Sequence, residues 1–279
     1  MEQRFELTSA VQHDVQRALA EDVGTGDITA RLVPDTETAV ARVITRVPAV
    51  LSGSAWFIEC FRQIDSGISI SWHASDGERL SREHVVCELQ GRARNLLTGE
   101  RTALNFLQTL SGVATRTRAF VDAIAGSKAV ILDTRKTIPG LRTALKYAVR
   151  CGGGSNHRMG LYDGILIKEN HIASAGSIAA VLRQATKLAP QLPTEIEVEN
   201  IDQLTQAIAA GAKLILLDNF DLAGLREAVK ATAGRALLEA SGGINLETVR
   251  AIAETGVDRI SIGSLTKDIQ AVDLSMRFL

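Results

Sequence analysis

Between residues 129 and 263, six short apolar runs each break off into polar, chemistry-bearing residues. The run at 129–132 meets Asp133-Thr134-Arg135-Lys136-Thr137, and that at 165–167 meets Lys168-Glu169-Asn170-His171. Residues 196–198 lie among Glu197, Glu199 and Asn200, and 214–217 precede Asp218-Asn219. Residues 236–238 lead to Glu239 and then Ser241-Gly242-Gly243, and 260–262 end at Gly263-Ser264. Runs this short and continuous read as strands buried on both faces. From Glu197 onward the strand ends Glu197, Asp218, Glu239 and Gly263 are spaced 21, 21 and 24 residues apart. Each gap holds one helical pattern, at 201–210, 222–231 and 246–255, the last capped by Asn245. Repeated βα units of this length require a parallel sheet, as a doubly wound fold or a barrel. No glycine fingerprint of a nucleotide fold is present, which favours the barrel. In either fold ligands bind at the carboxyl ends of the strands, where these polar residues fall.

The first ninety-odd residues follow another rule. Val11, Val15 and Leu19 form one stripe of a helix over 8–21. Residues 22–29 are too glycine-rich to continue it. Strands are expected at 39–47, 68–73 and 85–89, with a buried helix at 54–64 carrying Trp56, Phe57, Cys60 and Phe61. Strict alternation of Ile68, Ile70 and Trp72 with Ser69 and Ser71 marks a half-buried strand. This is a small α+β unit with an antiparallel sheet. Its turn Ser75-Asp76-Gly77 has no lysine, which excludes a swinging-arm attachment domain. A helix over 98–112, with Thr98 as cap, carries the polar stripe Arg101, Asn105 and Gln108. Ser111-Gly112 weakens it and 113–125 resumes it, so the domain boundary is placed there: 1–112 and 113–279, the last residues free to pack back on the first domain.

The net charge of −1 offers no bulk attraction to nucleic acid or membrane, so anion binding must come from a local cluster. Arg101, Arg135, Lys136, Arg158 and Lys168 could converge on one barrel end. Two like charges 4 Å apart cost about 4 kcal/mol at an intermediate dielectric, so such a cluster makes sense around a polyanion. Arginine offers two-point hydrogen bonding to carboxylate or phosphate, lysine a point charge. Glu197 and Asp218 could bind sugar hydroxyls, hold hydrated Mg²⁺ or stabilise a developing cation. Ser241-Gly242-Gly243 and Ile262-Gly263-Ser264 offer backbone N–H groups to a phosphate. Thr134 and Thr137 add hydroxyls. His157 and His171 are either acid–base groups or structural and ligand-contacting ones, and Lys168 could alternatively form a Schiff base. The glycines of 150–157 serve close backbone approach or mobility. Cys60, Cys87 and Cys151 form no Cys-x-x-Cys pair, and the polar start Met1-Glu2-Gln3-Arg4 has no secretory pattern, so a reducing cytoplasm and buried, inert thiols are expected.

These residues also carry a resemblance. Glu21-Asp22 with Gly26-Asp27-Ile28-Thr29, Glu100-Arg101-Thr102-Ala103-Leu104-Asn105, Ser111-Gly112-Val113-Ala114-Thr115, Asp133-Thr134-Arg135-Lys136-Thr137, Asn156-His157-Arg158, Ile167-Lys168-Glu169-Asn170-His171, Glu197-Val198-Glu199, Leu217-Asp218-Asn219 and Glu239-Ala240-Ser241-Gly242-Gly243 resemble the quinolinate phosphoribosyltransferase family nearly end to end. The resemblance implies an N-terminal α/β sandwich and a C-terminal incomplete parallel α/β barrel of fewer than eight strands. It implies phosphoribosyl transfer from phosphoribosyl pyrophosphate to quinolinate with decarboxylation, Mg²⁺ travelling with the phosphoribosyl donor and no organic cofactor. Lys136, Lys168, Glu197 and Asp218 are then the expected catalytic groups. Arg101, Thr134, Arg135, His157 and Arg158 are expected on the substrates, with the 5′-phosphate on 241–243 and 262–264. Glu197 and Asp218 would meet the metal. A homodimer or larger homo-oligomer is implied, with each N-terminal domain covering its partner's barrel mouth and Arg101 contributed across the interface.

Overall fold

A computed structural model describes residues 2–279, with side chains from residue 7 onward. In chain order the elements are α1 (Glu2–Asp22), β1 (Thr38–Thr45), β2 (Ala49–Val50), α2 (Ser54–Ile64), β3 (Ser69–Trp72), β4 (Arg79–Leu80), β5 (Val85–Arg92) and α3 (Ala93–Ala123). There follow β6 (Val130–Leu132), α4 (Arg142–Cys151), β7 (Ile165–Ile167), α5 (Glu169–Ala175), α6 (Ile178–Leu188) and β8 (Thr194–Val198). The chain ends with α7 (Ile201–Ala209), β9 (Leu214–Asp218), α8 (Leu222–Thr232), β10 (Leu237–Ser241), α9 (Val249–Ala253), β11 (Arg259–Ser261) and β12 (Leu274–Phe278). Two compact units result. One comprises the chain up to Arg118 with Thr137–Gly153 and Leu265–Leu279; the other comprises Ala119–Lys136 and Gly154–Ser264.

The first unit is built on an antiparallel sheet in the order β12-β1-β5-β3. The alternation read in β3 holds: Ile70 and Trp72 are half-buried while Ser69 and Ser71 are exposed. Trp56, Phe57, Cys60 and Phe61 of α2 are fully buried, and Phe57 meets Phe61 and Trp72 ring edge to ring face. Each such side chain contributes roughly 1.5–3 kcal/mol by leaving water. Cys60 and Cys87 lie in this core, where burial pushes the Cys60 thiol up to about 12 and Cys87 higher still. Cys151 is partly exposed, and no described cysteine is paired.

Two local expectations fail here. Thr98 is not a cap: α3 starts at Ala93, and the Thr98 hydroxyl donates to Asp27 and the Arg94 carbonyl from within the helix. Ser111-Gly112 does not interrupt the helix either. A Cβ at Gly112 would lie 2.1 Å from the Gln270 carbonyl oxygen, so glycine here lets the returning chain come close. The three glycines after α4 have the same role in part. A Cβ at Gly152 would meet Ala114 O and Thr117 Cβ, each at 2.5 Å, and Gly153 has φ +87°.

The second unit is a six-stranded, wholly parallel sheet in the order β6-β11-β10-β9-β8-β7. That order is the cyclic order of a barrel, cut between β6 and β7. The fold is therefore the expected mixed one, an antiparallel sheet domain and an incomplete parallel α/β barrel. On the β6 side the cut is narrowed by a single parallel bridge from Leu132 to Ser155. Strand residues such as Ile131, Ile196, Val198, Ile215, Leu217, Leu238 and Ile260 are buried. The crossover helices return apolar faces to them, Leu204 and Ala207 from α7, Leu225 and Ala228 from α8, Val249 and Ala253 from α9. Three crossovers begin with a side-chain cap: Ser177 accepts the Ala180 N–H, Asn200 that of Gln203 and Asp221 that of Gly224. The last is shorter than expected. Asn245 instead accepts the N–H groups of Glu247 and Thr248, and α9 begins only at Val249.

Candidate active site

All six strands of the second unit point the same way, so their carboxyl ends collect the residues that follow them. β6 delivers Asp133, Thr134, Arg135 and Lys136. The Thr134 hydroxyl accepts the Lys136 N–H at 3.0 Å and folds this loop back on itself. β7 is followed by Lys168, the N-cap residue of α5. β8 carries Glu197, β9 ends at Asp218 and β10 at Ser241, followed by Gly242 and Gly243. β11 is followed by Ile262, Gly263 and Ser264. A Cβ at Gly263 would come within 3.1 Å of Lys136 Cδ and 3.5 Å of Thr134 Oγ1, so the loops after β6 and β11 lie against one another.

Two electrostatic halves share this end. On one side Arg158 is partly buried, and burial, followed by the Arg135 charge, pulls its affinity for its proton below the usual arginine value. The two guanidinium groups therefore feel each other. Arg158 Nη1 donates to the Gly164 carbonyl at 2.9 Å, and Asp163 accepts the N–H groups of Met159 and Gly160, which fixes the loop that carries it. On the other side burial lifts the Glu197 carboxyl above the usual range. Lys168 opposes the shift and Asp218 adds to it. Lys168 Nζ stands 3.6 Å from Glu197 Oε2. Its side chain is 52% exposed, and a Schiff-base lysine needs a dry ammonium, which disfavours that alternative.

Beneath the arginines lies a buried polar floor that the sequence reading did not assemble. Asp133, fully buried, accepts the Asn156 amide at 2.5 Å and the His157 N–H at 2.9 Å. His157 Nδ1 accepts the Arg158 N–H at 2.8 Å, which places the ring hydrogen on Nε2, where it donates to Glu195 at 2.8 Å. Glu239 Oε1 lies 3.7 Å from the same nitrogen. Glu239, read from sequence as a strand end, sits in the middle of β10 and is 1% exposed. Burial and the Glu195 charge push its carboxyl up to about 7. His157, Glu195 and Glu239 have metal-ligand composition and lie close enough together to share an ion. A ring whose Nδ1 accepts an N–H and whose Nε2 bears the hydrogen has no lone pair left for one, so the trio is a proton-holding support. Glu195 was legible only as one member of the alternation Glu195, Glu197, Glu199.

The structure thus brings Thr134, Arg135, Lys136, His157, Arg158, Lys168, Glu197, Asp218, Ser241, Gly242, Gly243, Ile262, Gly263 and Ser264 to one end of one sheet. His157 turns both ring nitrogens inward, and His171 Nδ1 accepts the Lys168 N–H at 3.0 Å, a helix-capping role. Arg101 is exposed on α3, in the first unit.

Cationic and carboxylate groups with glycine loops at the carboxyl end of an incomplete parallel barrel define the class, an α/β barrel protein with a charged strand-end site. The comparisons with known proteins narrow this class. Residues 27–111 match the quinolinate phosphoribosyl transferase N-terminal domain and residues 113–277 its C-terminal domain. The chain belongs to the quinolinate phosphoribosyltransferase family. It is 44% identical over 257 residues to a probable nicotinate-nucleotide pyrophosphorylase [carboxylating] of Bacillus subtilis, covering 92% of this chain and 89% of that one. It is 42% identical to the Mycobacterium leprae nicotinate-nucleotide pyrophosphorylase [carboxylating], with 96% of each covered. Among solved structures, the nicotinate-nucleotide pyrophosphorylase of Francisella tularensis superposes with a TM-score of 0.96 at 48% identity, covering 98% of this chain and 97% of that one.

Proposed function

We propose that this chain transfers the phosphoribosyl group of phosphoribosyl pyrophosphate to quinolinate and releases CO₂, a step of NAD biosynthesis. The quinolinate nitrogen attacks C1 of the ribose, the bond from C1 to the pyrophosphate oxygen breaks, and pyrophosphate leaves with the electron pair. The bond from ring C2 to its carboxylate then breaks as CO₂ departs. The pair left on C2 is stabilised by the adjacent cationic nitrogen and is quenched by a proton, giving nicotinate mononucleotide. The observation that carries this reading, within the family's fold, is that an interacting Arg135–Arg158 pair and an interacting Glu197–Asp218 pair follow the strands of one parallel sheet. The arginines suit the two adjacent carboxylates of quinolinate. Glu197 and Asp218 suit ribose hydroxyls and the positive charge that grows on C1. Lys136 and Lys168 suit the phosphate and carboxylate oxygens, and the glycine loops at 241–243 and 262–264 suit the 5′-phosphate.

The half-buried Glu197, its carboxyl lifted chiefly by burial, stands with Asp218 as a hard-oxygen donor set that fits Mg²⁺ held largely through water and substrate. Such an ion would neutralise charge on the departing pyrophosphate. We further place the working unit at two copies or more, Arg101 of each reaching its partner's substrate. The exposure of Arg101, and of Ile28 and Leu32 at 79% and 84%, supports a surface made for a partner copy. No helix among the described residues is long and apolar enough to cross a membrane, and we assign the chain to the cytoplasm. The test is release of labelled CO₂ from quinolinate carboxylated at C2, with phosphoribosyl pyrophosphate and Mg²⁺, against nicotinate as the alternative acceptor. Turnover of nicotinate in preference to quinolinate would remove the substrate assignment.

A further inference from the structure

Neighbouring residues of a strand point to opposite faces, so a side chain cannot ordinarily hold the carboxylate of the residue before it. Asp218 and Asn219 break this rule. Asp218 is the last residue of β9 and pairs in register with Ser241 of β10. One step later the Asn219 N–H still donates to the Ser241 carbonyl, at 2.9 Å, but its backbone has turned left-handed, with φ +56°. That turn swings the Asn219 side chain round to the side of Asp218, and its amide Nδ2 donates to Asp218 Oδ2 at 2.8 Å. The neighbouring chain is shaped to allow it. A Cβ at residue 242 would lie 2.1 Å from Asn219 Oδ1 and 2.8 Å from its Cγ, so only glycine leaves room for the amide. A backbone conformation that asparagine tolerates better than most residues, and a missing side chain opposite, both serve this one hydrogen bond.

We propose that Asn219 is a positioning residue for the reaction: it fixes one oxygen of the Asp218 carboxylate so that the other is presented to phosphoribosyl pyrophosphate. The inference rests on the phosphoribosyl-transfer reading. It assigns Asn219 to the sugar-phosphate half of the reaction, because Asp218 and Glu197 form the acidic pair that this reading places on the ribose. The amide also offsets part of the repulsion between those two carboxylates.

Asn219→Gly separates positioning from mere folding. Glycine adopts φ +56° without strain, which offsets its greater unfolded-state entropy, so the melting temperature should change by no more than a few degrees. The donor to Asp218 is lost, and hydrogen bonds to charged groups are strong enough that kcat/KM for phosphoribosyl pyrophosphate should fall about ten- to hundredfold. Calorimetry should show weaker binding of phosphoribosyl pyrophosphate, while the KM for quinolinate stays within about twofold of wild type. Asn219→Asp, which keeps the shape, lacks the donor and adds a charge, should do at least as badly. Wild-type kinetics and binding in either variant would overturn the inference, as would an equal loss for both substrates accompanied by a lower melting temperature. A wild-type protein inactive toward quinolinate would defeat the parent reading instead. Calorimetry with phosphoribosyl pyrophosphate alone would still compare the two proteins.

Discussion

Glu239 should make the stability of this fold fall as pH rises through neutrality. Its carboxyl is 1% exposed, neither oxygen has a partner at full hydrogen-bond geometry, and the opposing pull of His157 and Ser261 is weaker than the burial. The one ring hydrogen of His157 is committed to Glu195, and Glu195 supplies a second negative charge nearby. Glu239 therefore keeps its proton until about 7, against an ordinary glutamate value of 4.5. Each pH unit between those values is worth about 1.4 kcal/mol, so the whole difference is roughly 3 kcal/mol. Because the folded value is the higher one, this stability is fully present below about 4.5 and lost as pH climbs through about 7. Glu239→Gln keeps the size of the neutral acid and cannot ionise. Melting temperature should be followed from pH 5 to pH 8 for both proteins. At roughly 2 °C per kcal/mol for a chain of this size, wild type should lose roughly 6 °C more than the variant across that range. Titrations elsewhere in the chain cancel in the difference, which therefore reports the buried Glu195–Glu239 pair and His157 as one unit. Parallel curves would show that the buried pair does not share a proton in this way and would reopen the reading of the trio.

Two further outcomes follow from the same geometry. Arg135→Ala should fold normally and lose turnover by at least about a hundredfold, since truncating one member of a desolvated charge pair costs several kcal/mol; near-wild-type CO₂ release would remove it from the carboxylate site. Gly112→Ala should lower stability by about 1–3 kcal/mol despite the better helix propensity of alanine, because the new Cβ meets the backbone carbonyl of Gln270; a denaturant midpoint at or above wild type would show that this contact yields freely.

Local pattern revealed most of the second unit because its strands and helices are each decided by burial periodicity over a few residues. Asp133, Lys168, Asp218 and Gly263 fall at or just beyond strand ends, as the polarity breaks required. What the pattern could not reveal depends on contacts between distant residues. Ser111-Gly112 looks like a weak point in isolation, yet α3 runs through it because Gly112 gives the chain at Gln270 room to approach. Glu239 looks like a strand-end acid, but the ladder with β9 extends through Ser241, and this places the carboxylate in the interior. Glu195 gave no signal as a site residue, since its role arises only when β8 and β10 bring it beside His157 and Glu239. The division is physical. A site group that touches the ligand must stand at the sheet's mouth, and a break from apolar to polar sequence marks that place. A group that holds such a residue from behind is buried among apolar neighbours, and only the packed strands show which partner it serves.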